Sequence, residues 1–257
     1  MTKLSVLLPT YNEESMIADC LESIKWADEI LVVDSYSTDL TLKIVENYDT
    51  RIIQHEYINS AEQKNWAIPQ CAHEWILQID ADERLELALE SEIRELLKNP
   101  SEAVNGFRIN FKHYLLGKWV MHSGMYPEYH LRLFRRDVGR FLNREVDAHV
   151  YVPGNVETLK GHILHFGTES ISHRLRAIDR YTRYESDERE KRGRHYSWSN
   201  VILRPLVAFF YYYIYKLGFL DGMRGLILAV LKTDFIFWTY VKLWEKRHGH
   251  EIVDDIH

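Results

Sequence analysis

Short apolar runs recur through the first part of the chain, at Leu4–Leu8, Ile30–Val33, Arg51–Gln54 and Trp75–Ile79. The first three are each followed by a longer mixed segment, at 15–25, 38–48 and 60–70, that reads as helical. Strands of that length separated by helices of ten or so residues predict βαβ units and a parallel sheet. Leu85–Leu97, rich in Glu and Leu and stopped by Asn99-Pro100, predicts a further helix. Gly106–Tyr114 and Tyr129–Phe134 alternate like strands between Gly117, Gly124, Pro127 and Gly139, and predict an antiparallel or mixed extension of the sheet.

Beyond residue 168 the pattern changes. A charged segment at 170–192 reads as a polar helix and 194–200 as a connector. Leu206–Tyr215, Leu217–Leu220, Leu226–Leu231 and Phe235–Trp244 are then apolar or aromatic almost all round. Lys216, Asp221, Arg224, Lys232 and Asp234 interrupt them, so none reaches the ~18 uninterrupted apolar residues of a spanning helix. Aromatic helices edged with Lys and Arg suit either a membrane interface or packing against a second subunit. The N-terminal run ends in Pro9 and polar residues with no small-residue cleavage site behind it, and reads as a first strand, not a signal peptide.

Composition narrows the function classes. A formal net charge of -6 over 257 residues gives no reason to expect nucleic-acid binding. Two cysteines, Cys20 and Cys71, are too few for a disulfide scaffold or thiolate metal site and point to a reducing, cytoplasmic compartment. There is no Gly-x-Gly-x-x-Gly after the first strand and no Gly-x-x-x-x-Gly-Lys-Ser/Thr run, which argues against a dinucleotide-binding dehydrogenase and an NTPase.

In a doubly wound sheet, ligands bind at the carboxyl ends of the strands. Those ends are polar here: Pro9-Thr10-Tyr11-Asn12-Glu13-Glu14, Asp34-Ser35-Tyr36-Ser37 and Asp80-Ala81-Asp82-Glu83. Asp80 and Asp82 offer two hard oxygen ligands at a spacing that suits Mg²⁺ or Mn²⁺ shared with a diphosphate. Asp34 is placed to accept hydrogen bonds from a base or ribose. Arg132, Arg135 and Arg136 carry guanidinium forks that match diphosphate oxygens, and alternation sends Arg132 and Arg136 to one face and Arg135 to the other. His162 and His165, three apart, point to opposite faces on a strand. His165 is the better placed to complete a metal or diphosphate site, although a structural role is commoner for such a ring.

Four segments, Leu4–Glu14, Val32–Thr41, Ala61–Ala67 and Gln78–Glu83, together resemble the motifs of family 2 glycosyltransferases in order and spacing. Residues 129–136, 160–166 and 216–222 are similar to the bacterial lipopolysaccharide-core glucosyltransferase subfamily. The resemblance implies a GT-A fold: an α/β, Rossmann-like, mostly parallel sheet flanked by helices, here with a helical C-terminal extension. It implies a catalytic domain over 1–168, with a nucleotide-sugar half over about 1–100 and an acceptor half over about 101–168. Residues 169–257 would then be a helical region for inner-membrane surface or subunit contacts, the latter giving a homo-oligomer.

It further implies that Pro9, Tyr11 and Glu13 line the nucleotide pocket, that Asp34 contacts uracil or ribose, and that Lys64 and Asn65 lie near the nucleotide or its sugar. Asp80 and Asp82 would hold nucleotide and metal. The implied reaction moves a hexose from a UDP-sugar donor to a saccharide or lipid-linked saccharide acceptor with inversion, and needs a carboxylate base. The subfamily shows Val-His-Glu near residue 147, whereas this chain reads Arg144-Glu145-Val146-Asp147-Ala148-His149. The base is accordingly sought first at Asp147, then at Glu145 and Glu128. A scaffold that binds nucleotide without turnover is the non-enzyme alternative. A sugar nucleotidyltransferase would place a Gly-rich, basic loop after the first strand, which Thr10-Tyr11-Asn12-Glu13 is not.

Overall fold

The computed structural model describes residues 2–142, 149–167, 170–194 and 196–248. They form two compact units, one of residues 1–113 and 127–167, the other of 114–126 and 168–257.

The first unit begins with β1 (Leu4–Thr10), α1 (Ile17–Ile24), β2 (Glu29–Asp34), α2 (Thr41–Val45), β3 (Arg51–Gln54), α3 (Ser60–Ala67) and β4 (Trp75–Gln78). These strands pair in the order β3-β2-β1-β4, all parallel, as the apolar runs predict. The sheet is covered on both faces, which is why its strands read as continuous apolar runs. Leu4, Val6 and Leu8 pack with Ile17, Cys20, Leu21 and Ile24, the i, i+3, i+4, i+7 stripe of α1. Leu7, Leu31, Val33 and Ile76 pack on the opposite face with Ala61 and Ala67 of α3. Full burial of each Leu or Ile contributes about 1.5–3 kcal/mol, so the stripe alone anchors α1. Both cysteines are buried and unpaired.

The chain continues through β5 (Glu83–Leu85), α4 (Leu87–Leu96), β6 (Val104–Leu115), β7 (Lys118–Trp119), β8 (Tyr129–Arg135), β9 (Arg140–Phe141), β10 (Val150–Tyr151) and β11 (Asn155–His165). The sheet extends β4-β8-β6-β11-β5, with β8 antiparallel to β4 and β6, β11 parallel to β6, and β5 antiparallel to β11. β5 lies four strand spacings from β4, about 19 Å in a flat sheet. The link over residues 79–82 reaches at most about 17 Å and is folded back on itself, Glu83 N–H donating to the Asp80 carbonyl at 2.9 Å. The extension therefore curls, and its far edge returns to the end of β4.

Strands β5 and β11 are not among those predicted. β11 loses its alternation where its register against β6 shifts between Thr158 and His162. Gly161 sits in that irregularity, where a Cβ would come within 2.5 Å of Leu89 Cα, so the absence of a side chain lets α4 lie against the strand.

In the second unit β7 pairs with the last residues of β6, and three helices follow: α5 (Ile171–Lys191), α6 (Trp198–Phe210) and α7 (Met223–His248). α6 begins inside the predicted connector because Ser197 caps it, accepting from Asn200 N–H at 3.2 Å. A π turn at Tyr211–Tyr215 and a 3-10 turn at Gly218–Asp221 join α6 to α7. The runs 226–231 and 235–244 fuse into one helix, since Lys232-Thr233-Asp234 contains no breaker. Leu115 and Val120 pack on Leu228, and Asp221 accepts from His122 N–H at 2.8 Å and contacts its ring nitrogen at 2.9 Å. Among the described residues no helix is long and apolar enough to cross a membrane.

Candidate functional site

Strand order reverses direction at β1 and β4, and the polar strand ends meet at that switch point. The loops after β1 and β2 are laced together. Asn12, held in the left-handed region at φ 55°, donates its N–H to Ser37 Oγ at 2.9 Å and accepts from Thr38 N–H at 2.8 Å. Glu13 N–H donates to Thr41 Oγ1 at 2.7 Å. Asp34 is fully buried at the end of β2 and accepts from Ser37 N–H, Ser37 Oγ and Gln54 Nε2, so its carboxylate holds the loop. Beside these, Tyr11 is 56% exposed and Pro9 lies on β1 next to Val33.

Beyond β4 the acids divide into two groups. Asp80 receives Lys64 Nζ at 3.1 Å on one oxygen and Arg132 at 3.3 Å on the other. Gln78 Nε2 donates to it at 2.8 Å. Burial opposes its charge, but Lys64 and Arg132 outweigh that and hold the carboxyl well below the usual range. Glu83, 2% exposed, accepts from Arg132 at 2.6 Å and from Asp80 N–H at 2.9 Å. Burial dominates there and pushes its pKa up despite Arg132. Arg132 also donates to Gln78. This side chain reaches the acids because β8 bulges: Leu133 and Leu131 pair with consecutive residues of β6, leaving Arg132 the extra residue. Simple alternation does not hold across such a bulge. Arg136 donates to the Cys71 carbonyl, and Arg135 reaches Glu74 and the face of Trp75, so neither joins the acids.

The second group starts at Asp82, whose carboxylate lies 3.2 Å from His165 Nε2. Burial disfavours a charged His165, yet Asp82 reverses this and raises its pKa. Among the described residues, Asp82, Glu83 and His165 place one ligand atom each within 4.8 Å of one another. Glu83, rather than Asp80, thus completes the cluster. His165 Nδ1 lies 2.8 Å from His113 Nδ1, and His113 Nε2 lies 3.0 Å from Glu128. A carboxylate accepts only, so the consistent tautomers have His113 Nε2–H facing Glu128 and His165 Nδ1–H donating to His113. Asp82 likewise only accepts, so His165 Nε2–H donates to it and the ring carries both protons, in line with its raised pKa; on losing the Nε2 proton the ring would offer that nitrogen to a metal ion, with His113 and Glu128 supporting it from behind. His130 Nε2 is 2.9 Å from the other Glu128 oxygen. Burial raises the Glu128 pKa, and hydrogen bonds from His113 and His130 more than cancel this, keeping it well below the ordinary value.

Of the acids considered as the base, Asp147 and Glu145 lie outside the described residues, and Glu128 spends both oxygens on histidines. Lys64 reaches Asp80, but Asn65 turns away. Its amide donates to the Phe141 carbonyl at 2.9 Å and accepts from Phe141 N–H at 2.7 Å, pinning β9 to α3. Asn65→Ala is expected to lower stability by about 2 kcal/mol, two lost hydrogen bonds, with UDP affinity by calorimetry unchanged. A tenfold loss of affinity at equal stability would place Asn65 on the nucleotide instead.

His113 escaped the sequence reading because nothing local marks it. It is brought beside His165 by the parallel β6–β11 register.

Residues 5–158 match the family described as glycosyl transferase family 2. The chain belongs to that family. It is 30% identical over 250 residues to the lipopolysaccharide core biosynthesis glycosyltransferase LpsC of Rhizobium meliloti, covering 95% of this chain and 92% of that one. It is 24% identical to an uncharacterized glycosyltransferase of Rickettsia typhi, covering 96% and 87%. Among solved structures it resembles the mannosyltransferase PcManGT of Pyrobaculum calidifontis, in complex with GDP-Man and Mn²⁺, with a TM-score of 0.57 at 16% identity over 96% of this chain and 88% of that one. The protein is a glycosyltransferase with a GT-A fold.

Proposed function

We propose that this glycosyltransferase moves a hexose from a UDP-sugar to a saccharide or lipid-linked saccharide acceptor of the cell envelope, at the cytoplasmic face of the inner membrane. The observation that carries the reading is the pairing of Asp82 with His165 beside the Lys64–Asp80–Arg132 cluster at the end of β4. The name of LpsC supports lipopolysaccharide core or a related glycan as the acceptor class.

The Asp82 carboxylate and the His165 imidazole, with the Glu83 carboxyl held beside them by Arg132, fit a divalent ion of Mn²⁺ or Mg²⁺ type that keeps waters and diphosphate oxygens as its other ligands, with the imidazole favouring Mn²⁺. Asp82 and His165 would hold it, with Glu83 adjacent, and it would supply positive charge for the departing diphosphate. PcManGT was solved with Mn²⁺. Tyr11 offers its exposed ring to the base, and Lys64 and Arg132 supply fixed positive charge near the diphosphate. In direct displacement the acceptor oxygen bonds to the anomeric carbon as the bond to the diphosphate breaks. The hydroxyl proton passes to a carboxylate, with Asp147 first and Glu145 second, since Glu128 is occupied.

UDP release from a panel of UDP-sugars, with envelope extract as acceptor and with Mn²⁺ or EDTA, tests the reading. One donor should release UDP only with metal. UDP binding without release under all conditions would instead identify a nucleotide-binding scaffold.

A further inference from the structure

The second unit carries a basic groove that the transfer chemistry does not use. Arg189 of α5 and Arg204 of α6 each donate to the hydroxyl of Tyr240 on α7 at 2.6 Å. Their nitrogens are thus no farther apart than twice that distance. Both guanidiniums also lie over the Tyr240 ring, at 4.9 and 5.4 Å. Glu185 neutralises Arg189 at 2.8 Å. Arg204 has no carboxylate partner among the described residues, its polar partner being the Tyr240 hydroxyl. With Arg189 matched by Glu185, the uncompensated charge in the groove is that of Arg204, and a guanidinium fork matches phosphate oxygens. The groove around them has a volume of about 540 Å³ and adds Ser199 and Asn200 as polar lining, with Val207 on its apolar side.

Next to it, α6 presents an apolar stripe to solvent. Trp198, Ile202, Leu206 and Phe210, at successive i+4 positions, are 74, 51, 52 and 59% exposed. The stripe continues into Tyr215 and Met223, 73 and 69% exposed. At about 20 Å, α6 is too short to span a ~30 Å hydrocarbon core, but it has the length and aromatic content of a helix lying in the interface. Residues 194–220 contain Arg194, Arg204 and Lys216 and no Asp or Glu, in a chain whose formal charge is -6. Charge therefore selects between occupants. A second copy packed on this face would bring Arg204 toward like charge with no acid in the segment to pair it, whereas an anionic lipid surface supplies the counter-charge.

The geometry points to α6 and the Arg189–Arg204 groove as a docking surface for anionic phospholipid, with a headgroup phosphate in the groove and the apolar stripe among the acyl chains. The inference deepens the inner-membrane part of the proposed function and does not depend on donor or metal.

The test is flotation of the full chain with vesicles of phosphatidylcholine alone or mixed with phosphatidylglycerol, with UDP release measured on the same preparations. The protein is expected to float with the mixed vesicles at least tenfold more strongly than with neutral ones, and less as salt rises. Arg204→Gln should lower anionic binding about fivefold, the contribution of one basic residue at such a surface. Val207→Ser combined with Phe210→Ser should abolish it. Both variants should keep wild-type melting temperature and UDP release with a soluble acceptor, which separates failure of docking from failure of the transferase reading. Equal binding to both vesicle types, unaltered binding by the Val207→Ser, Phe210→Ser protein, or stable dimers that ignore vesicles would overturn the proposal.

Discussion

Asp82→Ala is expected to lower metal-dependent UDP release about a thousandfold, the scale of losing one group that stabilises charge in a transition state. Asp82 is partly exposed, and its carboxylate pairs with His165. The change should therefore cost little stability, with thermal melts within a few degrees of wild type. UDP affinity measured by calorimetry should fall in Mn²⁺ and not in EDTA, because the lost carboxylate acts through the ion. Turnover within tenfold of wild type would remove Asp82 from the metal site. His165→Ala makes a companion case, and His113→Ala should weaken Mn²⁺ affinity about 10–100-fold through loss of support behind His165.

The second large effect is structural. Arg132→Ala should destabilise the protein by about 3–5 kcal/mol, the cost of removing one partner from a buried ion cluster and leaving the other charges unpaired. Glu83, 2% exposed, then keeps the Asp80 N–H, and Asp80 keeps Lys64 and Gln78. The loss should depend on pH. Burial already raises the Glu83 pKa in the folded protein, so its contribution is fully favourable below the unfolded carboxylate value and fades as pH rises through the folded one. Removing Arg132 raises that pKa further. The variant should thus be penalised more at about pH 8 than at about pH 5, which urea unfolding in EDTA would read. A penalty under about 1 kcal/mol, or one independent of pH, would show that Arg132 does not hold Glu83. Arg132→Met, which keeps the volume without the charge, separates electrostatics from packing.

These two residues illustrate different kinds of legibility. Asp82 was marked by its neighbours in the chain: a short apolar run followed at once by spaced carboxylates puts acids at a strand end, whatever the rest of the fold does. Arg132 was read as a diphosphate ligand from its guanidinium, and alternation along β8 grouped it with Arg136. The bulge at Arg132 breaks that grouping and turns the side chain toward Asp80 and Glu83. A bulge is a property of two paired strands, and one strand's sequence does not display it.

The base carries the same lesson in another form. Asp147 was sought first because the resembling subfamily shows Val-His-Glu near it, and it lies outside the described residues with Glu145, while Glu128, ranked beside Glu145, is tied to His113 and His130. Its engagement with His113 depends on β6 pairing with β8, which the residues around Glu128 do not display.

By itself the sequence determined the parallel strands, their order of appearance, the polar ends that carry Tyr11, Asp34, Asp80 and Asp82, and the helical nature of the C-terminal region. All follow from the period of apolar residues within one segment and from what stops it, which are local. The tertiary structure alone decided that β5 and β11 close the curled sheet, that Glu83 rather than Asp80 joins Asp82 and His165, that Asn65 braces β9, and that Arg189 and Arg204 meet on Tyr240. Each depends on which distant segments pack together, and packing is settled by shape and burial across the whole chain, which no local pattern encodes.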